Sequence, residues 1–167
     1  MLTLVGKDRS GIVARVSEAL YGTGAILGEA SMLRLGGNFS IMLMVSGGDA
    51  EALAGAVRPV AGALGLHFHL DPITGGLHRH LVPNVQVRVY GADRPGIVAR
   101  VTRVLADSGF NILELESDVA GAVERPVYLM QIQGFAEAPV EDLEKALEPL
   151  RSEGIEVDVA PVETLIG

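Results

Sequence analysis

Two short runs carry the residues best suited to hold a small polar ligand. They are Asp8-Arg9-Ser10-Gly11-Ile12 and Asp93-Arg94-Pro95-Gly96-Ile97. Each follows a brief apolar segment (Leu2-Thr3-Leu4-Val5; Val85-Gln86-Val87-Arg88-Val89) and leads into apolar residues at helical spacing. A strand, a tight turn and a glycine at a helix start leave backbone N–H groups and the positive end of the helix dipole facing the turn. The occupant such a turn favours is a small anion or zwitterion.

The elements that must position these turns repeat as well. Aligning Gly11 with Gly96 sets an offset of 96 − 11 = 85. At that offset Asp8/Asp93, Arg9/Arg94, Ile12/Ile97, Val13/Val98, Ala14/Ala99, Arg15/Arg100, Val16/Val101, Leu20/Leu105 and Gly24/Gly109 are identical. So dense a match indicates a duplicated unit.

In the first copy, Ser10 is placed to cap a helix running to about Tyr21, with Ile12, Val13, Val16, Ala19 and Leu20 as its apolar stripe. Gly22 and Gly24 supply a positive-φ stop. Residues 25–35 and 39–45 read as strands joined at Gly36-Gly37-Asn38. A helix over about 49–64 and a strand over 66–70 complete the order strand, helix, strand, strand, helix, strand.

The second copy gives strands at 85–90, 110–119, 127–135 and 155–160, with helices at 95–108 and 140–152. Pro95 is expected at the first helical position. Pro59 and Pro149 fall late in the two second helices, at an offset of 149 − 59 = 90, so about five extra residues are expected in the turn over 120–126. The helix is expected to start, kink or end at these prolines.

Residues 72–83, which include Pro72, Thr74, Gly75, Gly76 and Pro83, read as a linker between units at 1–71 and 84–167. The expected fold class is α+β: two tandem ferredoxin-like βαββαβ units, each an antiparallel sheet with its helices on one face. The uncovered sheet face and exposed edges of such units call for pairing with each other, as a wider sheet or a back-to-back stack.

Composition narrows the function. The 167 residues are 49% hydrophobic, with a net charge of -8 and no cysteine. An acidic chain whose basic residues are scattered gains little from phosphate neutralisation, so direct nucleic-acid binding is not expected. Without cysteine there are no disulfides and no thiolate metal sites. No signal sequence or membrane-length apolar run is apparent, and a cytoplasmic location is expected.

His67 and His69 alternate along a strand and His78 and His80 lie in the linker. No acidic or thiolate partner completes a metal set, so these read as solvated surface and no metal is expected. Met32, Met42, Met44 and Met130 read as packing residues. Phosphate-loop, dinucleotide, nucleophile-elbow and zinc-hydrolase motifs are absent, and neither an enzyme nor a cofactor is expected. Asp93 and Arg94 have no general base or nucleophile in sequence context that would support chemistry.

The segments Asp8-Arg9-Ser10-Gly11-Ile12-Val13 and Asp93-Arg94-Pro95-Gly96-Ile97-Val98, the second followed by Phe110-Asn111-Ile112, resemble the signature of ACT domains, small regulatory modules that bind amino acids. A tandem pair of this length with no catalytic domain attached, and with residues 31–39 in its first hairpin, is similar to the glycine cleavage system transcriptional repressor family.

The resemblance implies a ligand lying where the first turn of one unit meets the second strand of its partner. The implied contacts are Asp8, Arg9, Ser10, Gly11 and Ile12, then Asp93, Arg94, Pro95, Gly96 and Ile97, with Asn111 and Ile112. Backbone N–H groups near Gly11 or Gly96 can hold a carboxylate, while Asp93 or Asn111 can accept from an ammonium. The counterpart of Asn111 is Ile26 (111 − 85 = 26), which cannot do so, and unequal sites are expected.

The expected function is a non-catalytic sensor of a small amino acid, glycine or serine by resemblance. It would act through a protein partner, a transcription activator of glycine cleavage genes. A regulatory subunit conferring feedback control on a biosynthetic enzyme is the alternative. A homodimer is compatible with either.

Overall fold

The computed structural model describes residues 1–73, 81–92, 95–122 and 124–162. These fall into two compact units, Met1–Leu77 and His78–Gly167. In the first unit the order is β1 (Leu2–Lys7), α1 (Ile12–Tyr21), β2 (Ile26–Leu35), β3 (Asn38–Ser46), α2 (Ala50–Leu64) and β4 (Leu66–Leu70). The second unit has β5 (Val85–Ala92), α3 (Ile97–Asp107), β6 (Asn111–Ala122), β7 (Arg125–Phe135), α4 (Val140–Leu147), α5 (Pro149–Ser152) and β8 (Ile155–Pro161).

Each unit holds one four-stranded antiparallel sheet, ordered β2-β3-β1-β4 and β6-β7-β5-β8. This is the βαββαβ arrangement that the alternation of strand and helix patterns predicts. Strand periodicity puts Leu2, Leu4, Phe39, Ile41, Leu43 and Leu66 on one sheet face. They form a single buried cluster with Ile12, Val16 and Leu20 of α1 and with Leu53, Val57, Ala61 and Leu64 of α2. Each such fully buried aliphatic side chain contributes about 1.5–3 kcal/mol. The second core repeats the plan with Val85, Val87 and Val89 beneath Ile97, Val101 and Leu105.

Several local expectations need correction. The extra residues of the second hairpin lengthen its arms and do not enlarge its turn. Pairing runs from Asn111↔Phe135 to Ala122↔Arg125, against Ile26↔Ser46 to Leu35↔Asn38 in the first unit. Both hairpins therefore close on two residues, and each arm of the second is longer by two. Gly22 has an ordinary right-handed conformation (φ -61), and only Gly24 (φ 77) has the positive φ of a chain stop.

The paired prolines behave differently. Helix α2 runs through Pro59, whereas α4 ends at Leu147 and Pro149 opens the separate turn α5. Proline lacks the N–H that would continue the helix ladder but fits a first position. Pro149 takes that position, with Leu147 and Leu150 buried on either side of the break.

Asn84, which no sequence pattern marks, closes the second sheet. Its side-chain Nδ2 donates to the Ala136 carbonyl (2.8 Å), and its Oδ1 accepts from the Ala136 N–H (3.0 Å). Its backbone bonds Gly134 and Val162. Asn84→Ala leaves two backbone groups of buried Ala136 without partners. It is expected to destabilise the second unit by about 2 kcal/mol, read as a lowered urea midpoint.

Candidate functional site

The two glycine turns are built alike. In the first, β1 is fixed by Leu2 and Leu4, each fully buried, and α1 is fixed by Ile12 immediately after the turn. The chain reverses between these anchors through Gly11 at φ 84, ψ 1. In the second, β5 and the buried Ile97 bracket Gly96 at φ 95, ψ -5. Only glycine enters this left-handed region without a steric penalty.

The glycine carbonyls accept from Arg15 (3.1 Å) and Arg100 (3.0 Å), so Gly11 and Gly96 themselves are the helix caps. Ser10 therefore does not cap α1, and no side chain does. Likewise Pro95 lies ahead of the cap and is not the first helical residue; α3 begins at Ile97 and has no side-chain cap. The reason is common to both: the left-handed residue intervenes, and only the residue after it resumes right-handed helix.

Helix α2 of the same unit shows the usual alternative. There the Asp49 carboxylate accepts from the Glu51 and Ala52 N–H groups at 3.1 and 3.2 Å. The start of α2 is closed by its own side chain, whereas α1 and α3 have no such closure. Among the described residues, a β-carbon placed on Gly11 would meet nothing within 4 Å, and one on Gly96 only Arg100 Nε at 3.8 Å. Behind each turn stands a helix dipole that no side chain closes.

Asp8 is half-buried and held at two points. Its N–H donates to the Gly37 carbonyl of the first hairpin (3.1 Å), and its Oδ2 lies 2.6 Å from Arg34 Nε. Arg9 is exposed. Asp93 and Arg94 lie outside the described residues.

Asn111 and Ile112 open β6. Asn111 is exposed, while Ile112 is half-buried against the second core. Asn111 pairs with Phe135, beside the beginning of β5, whereas the Gly96 turn follows the end of β5 at Ala92↔Val127. At about 3.3 Å per residue these positions are roughly 25 Å apart along the sheet. One unit therefore does not bring its own turn and its own second-strand start together.

Gly6, Gly91 and Arg34 were not singled out by the sequence reading. A β-carbon on Gly6 would lie 2.6 Å from Leu66 Cδ2, whereas one on Gly91 would lie at an ordinary 3.4 Å from the Gly154 carbonyl. Gly6 thus lets β4 approach just before the first turn, and the offset it shares with Gly91 (91 − 6 = 85) was the available signal. Arg34 carried none, because its partner is remote in sequence.

His67 and His69 are exposed on the sheet face opposite the helices; His78 and His80 lie outside the described residues. Among the described residues no group of three or more His, Asp or Glu side chains is gathered to hold a metal ion. No helix among them is long and apolar enough to cross a membrane.

Comparison with known proteins agrees with this architecture. A family model described as ACT domain matches residues 1–71, and another of the same description matches residues 85–154. Over 159 residues the chain is 27% identical to the glycine cleavage system transcriptional repressor of Escherichia coli, covering 92% of this chain and 84% of that protein. Over 77 residues it is 36% identical to a UPF0237 protein of Methanococcus maripaludis, covering 46% of this chain and 84% of the other. A crystal structure of a protein from Galdieria sulphuraria superposes with a TM-score of 0.76 at 27% identity, covering 97% of this chain and 96% of that one.

Proposed function

Because the chain belongs to the ACT-domain family, as two such domains in tandem, we propose that it is a non-catalytic sensor of a small amino acid. The observation that carries this reading is the pair of glycine-capped helix starts, α1 and α3, that no side chain closes. Such a start offers N–H donors and a positive dipole end to a carboxylate. The ammonium of the same ligand needs an acceptor, which Asn111 supplies and its counterpart Ile26 does not. By the resemblance, Asp8–Ile12 with Asn111 and Ile112 are assigned to the better site, and residues 93–97 with Ile26 to the poorer one.

Similarity to the E. coli repressor favours glycine or serine as ligand and a transcription activator of glycine cleavage genes as partner. A net charge of -8 argues that repression works through that protein and not by contact with DNA. The amino acid acts by binding one arrangement of the units more tightly than another. The chain then works among soluble cytoplasmic proteins.

Calorimetric titration of the folded chain with the twenty amino acids tests the sensor reading. Saturable heat with glycine or serine is expected, and silence across the panel refutes it. Affinity capture from cells tests the partner: recovery of a DNA-binding activator is expected, whereas recovery of a biosynthetic enzyme assigns the chain to feedback control.

A further inference from the structure

Arg34, whose counterpart is Val119, is a point at which the two hairpins differ. It pairs across the first hairpin with Phe39, a buried residue of the helix-covered face, so Arg34 shares that face at the sheet edge. There its Nε meets Asp8 Oδ2, and Asp8 is also tied through its N–H to Gly37. The Asp8 side chain is 24% exposed and that of Arg34 is 68% exposed. Among the described residues the guanidinium has no other protein partner, which leaves its Nη donors to solvent or ligand.

The second hairpin breaks the repeat at this point. Val119 pairs with Tyr128 as Arg34 pairs with Phe39, at the same offset (119 − 34 = 85) as the glycines. The first hairpin has a cation at this strand position and the second has the aliphatic Val119.

We propose that Arg34 is the specificity-determining residue of the first turn, selecting a zwitterion over a bare amine or a bare acid. This inference rests on the amino-acid-binding reading above. A ligand carboxylate held at the helix start has acceptor sites left for the Nη donors, in the planar fork geometry that guanidinium offers. The ligand ammonium has three donors and reaches the Asp8 carboxylate as well as the Asn111 acceptor. An amine alone has to compete with Arg34 for that carboxylate, and an acid alone meets its repulsion. Selection thus includes a repulsive element against each half of the ligand.

The test titrates the full chain with glycine and serine. Each is accompanied by its decarboxylated amine (methylamine, ethanolamine) and its deaminated acid (acetate, 3-hydroxypropionate). The wild-type chain is expected to bind an amino acid and neither half measurably. Arg34→Val is expected to weaken amino-acid binding about tenfold and to strengthen amine binding, because Asp8 is released. Arg34→Lys, which keeps the charge and loses the fork, restores part of the preference. Should Arg34→Val fail to fold, Arg34→Gln carries the same comparison.

A purely structural arginine would, when replaced by valine, lower amino-acid binding and leave the amines still without measurable binding. That result, or unchanged amino-acid affinity in Arg34→Val, overturns the inference while leaving the sensor reading intact. A wild-type chain that binds no amino acid overturns both.

Discussion

Gly134→Ala is expected to destabilise the second unit by about 3 kcal/mol, the upper part of the range for overpacking a filled core. A β-carbon at this position would lie 2.3 Å from the Asn111 carbonyl and 2.4 and 2.5 Å from the Phe110 ring. Phe110 is 5% exposed and belongs to the core cluster, so neither ring nor backbone can yield cheaply. In a domain of this size the loss corresponds to roughly 15 °C in melting temperature, measurable by calorimetry.

The first unit solves the same packing problem in reverse. There Ala25 stands where Phe110 does (110 − 85 = 25), and Val45 stands opposite Leu27 as Gly134 stands opposite Ile112. Bulk has moved from one strand to its neighbour. The double change Phe110→Ala with Gly134→Val installs the first unit's solution in the second. It is expected to be more stable than Gly134→Val alone, a positive coupling of the kind that residues in contact show. Additive losses would show that the ring does not pack where Gly134 makes room. Asn111 follows Phe110 directly, so this packing also positions the polar residue assigned to the ligand ammonium.

Gly11→Val is expected to abolish amino-acid binding at the better site and to destabilise the first unit by about 2 kcal/mol. An L side chain at φ 84 carries a left-handed penalty that branching at Cβ increases. No atom lies within 4 Å of the new β-carbon, so the cost is conformational and not a collision. Gly11→Asn separates the two effects, because asparagine tolerates the left-handed region. It should regain most of the stability, by urea unfolding, while its side chain still fills the space before the turn and weakens binding at least tenfold. Full binding in Gly11→Asn would place the ligand elsewhere.

The fold was legible because two signals agreed. An 85-residue self-match fixed the repeat, and within it the stripe Ile12, Val16, Leu20 against the alternation Phe39, Ile41, Leu43 separated helix from strand. Helix starts were less legible. Ser10 and Pro95 are good capping and first-turn residues by type, yet the left-handed glycine after each takes the cap. Local propensity yields there to a turn that both flanking elements, anchored by Leu4 and Ile12, impose.

The second hairpin was read as a long turn because strand propensity falls at Ala120 and Gly121, although backbone pairing continues to Ala122. Arg34 and Asn84 escaped notice for a different reason. Each acts on a partner far along the chain, 34 − 8 = 26 residues away for Arg34 and 136 − 84 = 52 for Asn84. Periodicity carries no trace of such bonds.

The most direct measurement is the backbone amide NMR spectrum of the chain as glycine or serine is added. If a carboxylate docks on the glycine-capped helix starts, the largest shifts fall on the amides of residues 11–14, with Asn111 moving in step at the same ligand concentration. Saturable binding that leaves those amides in place, or that moves Asn111 without them, would contradict the account.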